Sequence, residues 1–559
     1  MAIFENWPYT NFHEKNLDWI ISKIKEFSER LGSVEAALAA LEDTIDQDVY
    51  NIMVEWLGDG TLSGLISGAL ANKEWMIEDI NTIPAGVTFS IGDTVTTNTA
   101  IYAVVGSGLT FGAYQLYPLY YTTAQDLGLK GDGLTEESVK LQAAYNLLSD
   151  IDLHGGKVLI GSAINLKSNS AIRNGAIVWA ATLGTGFTGD SLTNITFDGI
   201  EFDCTLSSVL GKKISLTNSS NLVIKKCYMH NWYGTFARLN GSENCQIMDC
   251  RTDTSTGDTG DDGACFYFQG GSNLKFSNLI GKDQSGVLIY LDGSTPVEKV
   301  VINNINADGF TSAVSPNVIT IYGETNDVTI NNVNAIDCDG GIQVAMRASK
   351  MPQHVNISNY NADHSKYHGI RIRNDNNTIE DTIVNITNVF ITSDQDGIIL
   401  DGVSGVTITN AQIQVVRSCI RAYKSQNNII SNCIFRFGDS ANTGVRMDAN
   451  CLENLIANCT FVNSSATNYT ALQDLNTANN PSVVICPVFK GNFVAGGTDV
   501  RNTVVLFPIY FGSNFGSASV LFGTGTDKPA YGLFDGVQLI DTSGTTSGWH
   551  RKTNAWVAN

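Results

Sequence analysis

The chain has 559 residues, 43% of them hydrophobic and only 16% charged, with 53 glycines and a formal net charge of −21. This is too apolar for a disordered chain, and the acidic balance argues against nucleic acid and against anionic membranes held by bulk charge. No stretch is long and apolar enough for membrane insertion, and the opening MAIFENWPYTNFHEKN lacks the basic start and apolar core of a secretory signal.

Residues 14–57 carry a heptad pattern: Leu17, Ile20, Ile24, Phe27, Leu31, Val34, Leu38, Leu41, Ile45 and Ile52, with Asp48 breaking one d position. The pattern predicts a parallel coiled coil, and mixed Ile and Leu at a and d permit a trimer. An amphipathic helix packed on its own domain is the alternative. Residues 81–121 alternate and turn like a small β module and hold no catalytic signature. Next comes LGLKGDGLTEES, 127–138. Thr135 reads as a helix N-cap with Glu136 and Glu137 in the first turn. Leu134, Leu141, Tyr145 and Leu148 make one apolar face, suited to covering the open end of a repeat core.

From Ile195 to Phe461 one phrase recurs eleven times: apolar-x-apolar-x-Asn-apolar, as in Val300–Ile305 and Val328–Val333. Successive copies lie 22 to 29 residues apart, and the last eight all carry asparagine. Alternation on both sides of one polar residue means two short strands meeting at a bend. Asparagines stacked coil on coil can bond one another. The apolar residue after the bend, Cys227, Cys250, Val333, Tyr360 or Cys433 among others, is expected inside. The eleven cysteines include no CxxC pair, so neither a disulfide framework nor a metal site is expected. They read as small core hydrophobes, with rung-to-rung disulfides as the alternative.

Each coil has a second alternating strand, usually opened by glycine: Gly263, Gly286, Gly341, Gly369, Gly397, Gly444. The outward position four beyond the glycine gives a column running Arg238, Tyr267, Tyr290, Tyr322, Ala345, Arg373, Asp401, Tyr423, Asp448. A neighbouring column carries Phe236, Gln343, Arg371, Arg421 and Arg446. After about 470 the phrase stops. The tail reads as a β module with aromatic anchors at Phe534, Trp549 and Trp556.

The segment GDGLTEESVKLQAAYNLL, through Gly131, Asp132, Gly133, Thr135, Glu136 and Glu137, resembles the opening segment of phage tailspikes and related pectate-lyase-like proteins. WPYTNFHEKNLDWIISKIKEF (7–27) resembles N-termini of phage appendage proteins. The resemblance implies a right-handed parallel β-helix and transfers no catalytic role. The expected fold is therefore mainly β, a right-handed parallel β-helix of about eleven coils. The expected division is a virion-anchoring helical region at 1–80, a β module at 81–125, the β-helix with its capping helix at 126–470, and a C-terminal β module at 471–559.

Sugar recognition needs aromatic faces together with carboxylates and arginines that grip hydroxyls or acid groups. Tyr267, Tyr290, Tyr322, Arg347, Arg421 and Tyr423 are the candidate glycan contacts. A stacking ladder that merely stabilises the sheet, or a trimer contact, is the alternative for the tyrosines. Glycoside hydrolysis needs two carboxyl groups about 5 to 9.5 Å apart. Candidates are Asp261 and Asp262, with Asp292 two coils down, and a second group of His368, Arg371, Arg373, Asp396 and Asp401. Solvated turns and surface ion pairs are the bland alternatives. Asp261-Asp262, His368-Gly369 and Arg371-Ile372-Arg373 resemble the polygalacturonase series only superficially, because their order and spacing depart from it. Neither a metal nor a cofactor is expected. The leading expectation is a homotrimeric phage tailspike, assembled in the host cytoplasm, joined to the tail through its N-terminus, and binding a host surface polysaccharide that it either cleaves or only holds. A secreted pectate-lyase-like enzyme is the remaining alternative.

Overall fold

The computed structural model describes residues 74–511, with breaks at 84–86, 256–262, 312–316, 375, 377, 438–442, 449, 464–469, 476–481, 492–502 and 507–508, and three short strands within 538–558. The expected coiled coil and the pair Asp261 and Asp262 lie outside the described residues. The chain forms two compact units, one of 1–164 with 171–178, the other of 165–170 with 179–559.

The first unit holds a five-stranded sheet built from Glu74–Met76, Thr94–Thr96, Ala100–Val105, Leu109–Phe111 and Tyr114–Tyr121. One helix follows at Ser138–Leu148. Its Leu147 and Leu148 pack on Ala103, Val105 and Tyr117 of that sheet. The helix thus belongs with the β module, and the expected boundary at 125/126 does not separate them. The expected cap also fails. Thr135 lies in a strand, Asp132–Glu136, where its N–H and hydroxyl donate to the Asp132 carboxylate at 2.8 and 2.9 Å. That local turn outcompetes helix initiation, and the helix starts three residues later with Leu134 82% exposed. Leu141 and Tyr145 are buried as expected.

The second unit is a parallel β-helix of about thirteen coils. Every coil supplies a strand before the bend and one after it, paired in register with the next coil. Phe197 faces Ile224, Ile224 faces Ile247, Ile302 faces Ile330, and Ile330 faces Ile357. All of these are fully buried, and burying each such side chain contributes roughly 1.5–3 kcal/mol. The residue after the bend also faces inward: Ile200, Cys227, Cys250, Leu279, Ile305, Val333, Tyr360, Val389, Ala411, Cys433 and Cys459 are each at most 2% exposed. The cysteines are free thiols, and ten of the eleven are buried.

The bend has a backbone reason. From Gly199 through Lys226, Asp249, Asn278, Asn304, Asn332, Asn359, Asn388, Asn410, Asn432 and Asn458, every bend residue sits at φ between 51° and 65°. Asparagine tolerates this left-handed conformation better than other side chains. Stacked, the amides also bond: Asn278 Nδ2 donates to Asp249 at 2.7 Å, Asn304 to Asn278 at 2.9 Å, and Asn332 to Asn304 at 3.1 Å.

The stacking does not stop at 470. Ser482–Ile485 and Val488–Gly491 pair in parallel with the preceding coil, and Thr503–Leu506 and Ile509–Phe511 pair with those. The first of these added coils keeps the left-handed bend but places Cys486 there, at φ 49°. The asparagine signal is lost while the geometry continues. Further on, Gln538–Leu539, Trp549–Lys552 and Ala555–Ala558 form a three-stranded antiparallel sheet.

Candidate functional site

The Gly-led strands carry two outward columns, and register separates residues that sequence spacing had merged. Arg238 faces Tyr267 and Tyr267 faces Tyr290, but Tyr290 faces Thr320. Tyr322 faces Asp292 instead, two residues further along. The first column then continues through Gln343, Arg371, Ile399, Arg421 and Arg446, and the second through Ala345, Arg373, Asp401 and Tyr423. The single tyrosine column is therefore corrected to two.

The tyrosines form a closed cluster. Tyr267 and Tyr290 stack with ring centroids 5.0 Å apart and are only 2% and 1% exposed, while Tyr322 packs against Tyr290 at 5.5 Å. The Arg238 guanidinium lies 4.6 Å above the Tyr267 ring. Asp292 is fully buried beside them. It accepts from the Tyr267 hydroxyl, from Ser294 N–H at 3.0 Å, and pairs with Arg347 Nε at 3.3 Å. Arg347 Nη1 also donates to the Tyr290 hydroxyl at 2.7 Å, and Gln343 donates to Tyr322 at 2.5 Å. Rings covered in this way offer no face to a sugar. The expectation that Tyr267 and Tyr290 are open glycan platforms is corrected, because their faces are used by each other and by Arg238. Asp292 and Arg347 fit a buried ion pair whose polar partners are satisfied.

The second expected group does converge on a cleft. His368, Arg371, Asp396, Asp401, Arg421 and Tyr423, together with Tyr367, Gln395, Ile399 and Arg417, line a cleft of about 490 Å³. Three successive strands, His368–Arg373, Asp396–Asp401 and Ser418–Tyr423, form its floor, with His368, Asp396 and Ser418 in register. Arg373 faces Asp401 from the neighbouring coil on the same strand pair. Sequence spacing missed Tyr367, Gln395 and Arg417. All three immediately precede a floor strand, so an alignment extended one residue toward the N-terminus would have found them.

Asp396 is 2% exposed, and its Oδ1 is buried without a hydrogen-bond partner among the described residues. Arg417 and Arg421 approach its other oxygen at 3.6 and 3.8 Å, outside hydrogen-bond reach. Arg421 is held from behind by Asp448, which accepts from its Nε at 3.0 Å and from Arg446 Nε at 2.7 Å. His368 Nε2 meets Asn317 Oδ1 at 3.0 Å.

Burial drives these two groups in opposite directions. Desolvation, helped by Arg371 and Arg373, pushes the His368 pKa from 6.5 down to about 3, so the ring stays neutral. Desolvation raises that of Asp396 above its usual 3.8 against the pull of Arg417 and Arg421. The linkage signs follow. Unfolded His368 takes a proton below 6.5 and the folded ring does not, so its contribution is present above 6.5 and lost as pH falls toward about 3. Asp396 contributes below 3.8, and this is lost as pH rises through its raised folded value. We expect His368→Gln to flatten the acid-side fall in melting temperature. Asp396→Asn should raise the melting temperature at neutral pH. Melting scans at fixed rate across the acid range check both, and variant curves parallel to the parent would contradict them.

A family model for a right-handed beta helix region matches residues 317–486, which contain the whole cleft. No curated protein matches the chain. Among solved structures, the tailspike of E. coli bacteriophage HK620, in complex with a pentasaccharide, aligns at 13% identity and a TM-score of 0.44, over 76% of this chain and 87% of that one. Tailspike protein 3 of bacteriophage CBA120 aligns at 13% and 0.42, over 82% and 72%. The A-module of a mannuronan C-5 epimerase from Azotobacter vinelandii aligns at 13% and 0.38, over 70% and 100%. These are likenesses to β-helix proteins; the residues of the cleft have to speak for its chemistry.

Proposed function

We propose that this chain is the polysaccharide-binding β-helix of a phage tailspike, trimeric, joined to the virion through its N-terminal region, and holding a host surface glycan in the cleft of Tyr367 to Tyr423. The observation that carries the reading is the cleft itself. It is an open polar trough on parallel strands, with arginine forks, two carboxyl groups and the rings of Tyr367 and Tyr423 converging on one volume. Such a set grips hydroxyls and acid groups while an aromatic ring lies against a sugar face. Rigid strands hold these groups at fixed separations, which limits the ordering cost of binding.

Cleavage as well as binding is favoured by one specific feature. Asp396 is buried, its pKa is raised, and it shares the cleft with Asp401. A buried carboxyl group whose pKa is raised, beside a second, more exposed one, is the arrangement that can donate a proton to a leaving glycosidic oxygen.

The test is incubation of the full chain with purified bacterial envelope polysaccharides. Retention in affinity gels and release of shortened oligosaccharides are scored separately. We expect retention that is lost in Tyr423→Ala, and products that disappear in Asp396→Ala while retention persists. A particle of three times the 60.2 kDa chain mass is expected in solution. A monomer would remove the spike assembly, and retention unaffected by cleft substitutions would remove the site.

A further inference from the structure

Positive charge is concentrated here in a way the rest of the chain does not prepare for. The net charge is −21, yet six of the thirteen arginines fall within the 76 residues 371–446, and three of them, Arg371, Arg417 and Arg421, line one cleft, with Arg373 on a floor strand and Arg446 on the next coil. Asp448 is the carboxylate that neutralises part of this set, and it does so from behind, binding Nε of both Arg421 and Arg446. Arg421 Nη1 and Arg417 Nη1 are the guanidinium atoms that approach Asp396, at 3.8 and 3.6 Å, too far for a direct hydrogen bond. Two guanidinium groups from one strand and its preceding loop therefore converge on a buried carboxyl oxygen without closing on it.

Resting on the glycan reading above, we propose that the cleft selects an anionic sugar, whose acid group is gripped by Arg417 and Arg421. Paired guanidinium forks match a carboxylate geometrically, and charge-assisted hydrogen bonds are roughly twice as strong as neutral ones. Asp396 competes with that acid group when ionised and makes room for it when neutral. Its burial favours the neutral form, while His368 on the preceding coil stays uncharged. Arg371 faces the same volume two coils before Arg421, and Arg446 stands one coil after it beyond Asp448. Once Asp396 is protonated, Arg371, Arg417 and Arg421 outnumber Asp401 among the charged groups that line the cleft. An acidic polymer would be repelled by the chain as a whole, so binding has to be local to this cleft.

The experiment is affinity electrophoresis of the full chain through gels containing polygalacturonate, alginate or polysialate, each beside its carboxyl-reduced, neutral form. We expect retention by at least one acidic polymer and a fall of about tenfold or more on carboxyl reduction, the size expected for losing charged hydrogen bonds. The Arg417→Ala/Arg421→Ala variant should lose retention by a similar factor. Asp396→Asn, which removes the competing carboxylate, should bind the acidic polymer several-fold more tightly, a gain that a misfolded protein cannot give. Equal retention by acidic and reduced polymers, or weaker binding by Asp396→Asn, overturns the anionic selection and leaves the glycan reading standing. No retention by any polymer, acidic or reduced, overturns both.

Discussion

Replacing Arg347 by alanine is expected to destabilise the coils around Asp292 by about 3 kcal/mol while leaving glycan retention at the cleft unchanged. The cost arises at Asp292, which is fully buried and paired with Arg347 Nε at 3.3 Å. Without the guanidinium its carboxylate keeps only the neutral donors Tyr267 and Ser294 among the described partners. Breaking a buried pair by removing one member typically costs 3–5 kcal/mol, and the lower end applies because a third of the Arg347 side chain still meets water. The hydroxyl of Tyr290, 1% exposed, loses its donor as well. Arg347→Lys keeps the charge but not the two-pronged geometry, and should recover part of the loss. Because coils couple mainly to their neighbours, the effect should be local. Hydrogen exchange should rise between Phe266 and Gly293 and stay level around Ser418–Tyr423. Unchanged exchange together with lost glycan retention would mean that Arg347 serves the ligand.

The second large effect is expected at the bend. Asn332→Val should cost about 2–4 kcal/mol: roughly 1–3 for a β-branched residue held at positive φ and roughly 1 for the lost amide ladder. Asn332 sits at φ 54° and donates to Asn304 at 3.1 Å. Asn332→Gly separates the two contributions, since glycine takes that backbone freely and loses only the ladder bond. Urea midpoints after long equilibration should rank parent, glycine variant, valine variant. Equal midpoints for valine and glycine would show that the left-handed backbone is not what asparagine supplies.

The same physics explains what could be read from the sequence. The bend asparagine and the inward residue after it recur because one backbone conformation and one narrow core impose them on every coil. Both were therefore visible as a period. Column assignment needed a start marker for the outward strand, and glycine does not mark one register position. Gly369 and Gly341 are equivalent to Val318 and Leu288, so Gly286 lies two residues early and counting from it placed Tyr290 two residues out of register with Tyr322. The last coils went unseen because Cys486 took the asparagine position. The helix at Ser138–Leu148 was found, but its start was misplaced, since Asp132 binding Thr135 looks in sequence like a helix N-terminus.

The site was legible in part for a related reason. His368 with Asp396, and Arg373 with Asp401, share positions one coil apart, and register confirms those pairings. Burial cannot be read from such a column. Tyr267 and Arg371 both occupy outward positions, yet Tyr267 is covered by neighbouring rings and Arg371 lines a cleft. What distinguishes them is the side chains that adjoining coils supply, a stacked ring and a guanidinium at Tyr267, and those follow no period.

The most direct test of the glycan site is a hydrogen-exchange footprint of the full chain with and without a retained polysaccharide. Protection confined to His368–Arg373, Asp396–Asp401 and Arg417–Tyr423, with Phe266–Asp292 unchanged, is the predicted result. Protection at the tyrosine cluster, with none at the three cleft strands, would contradict it.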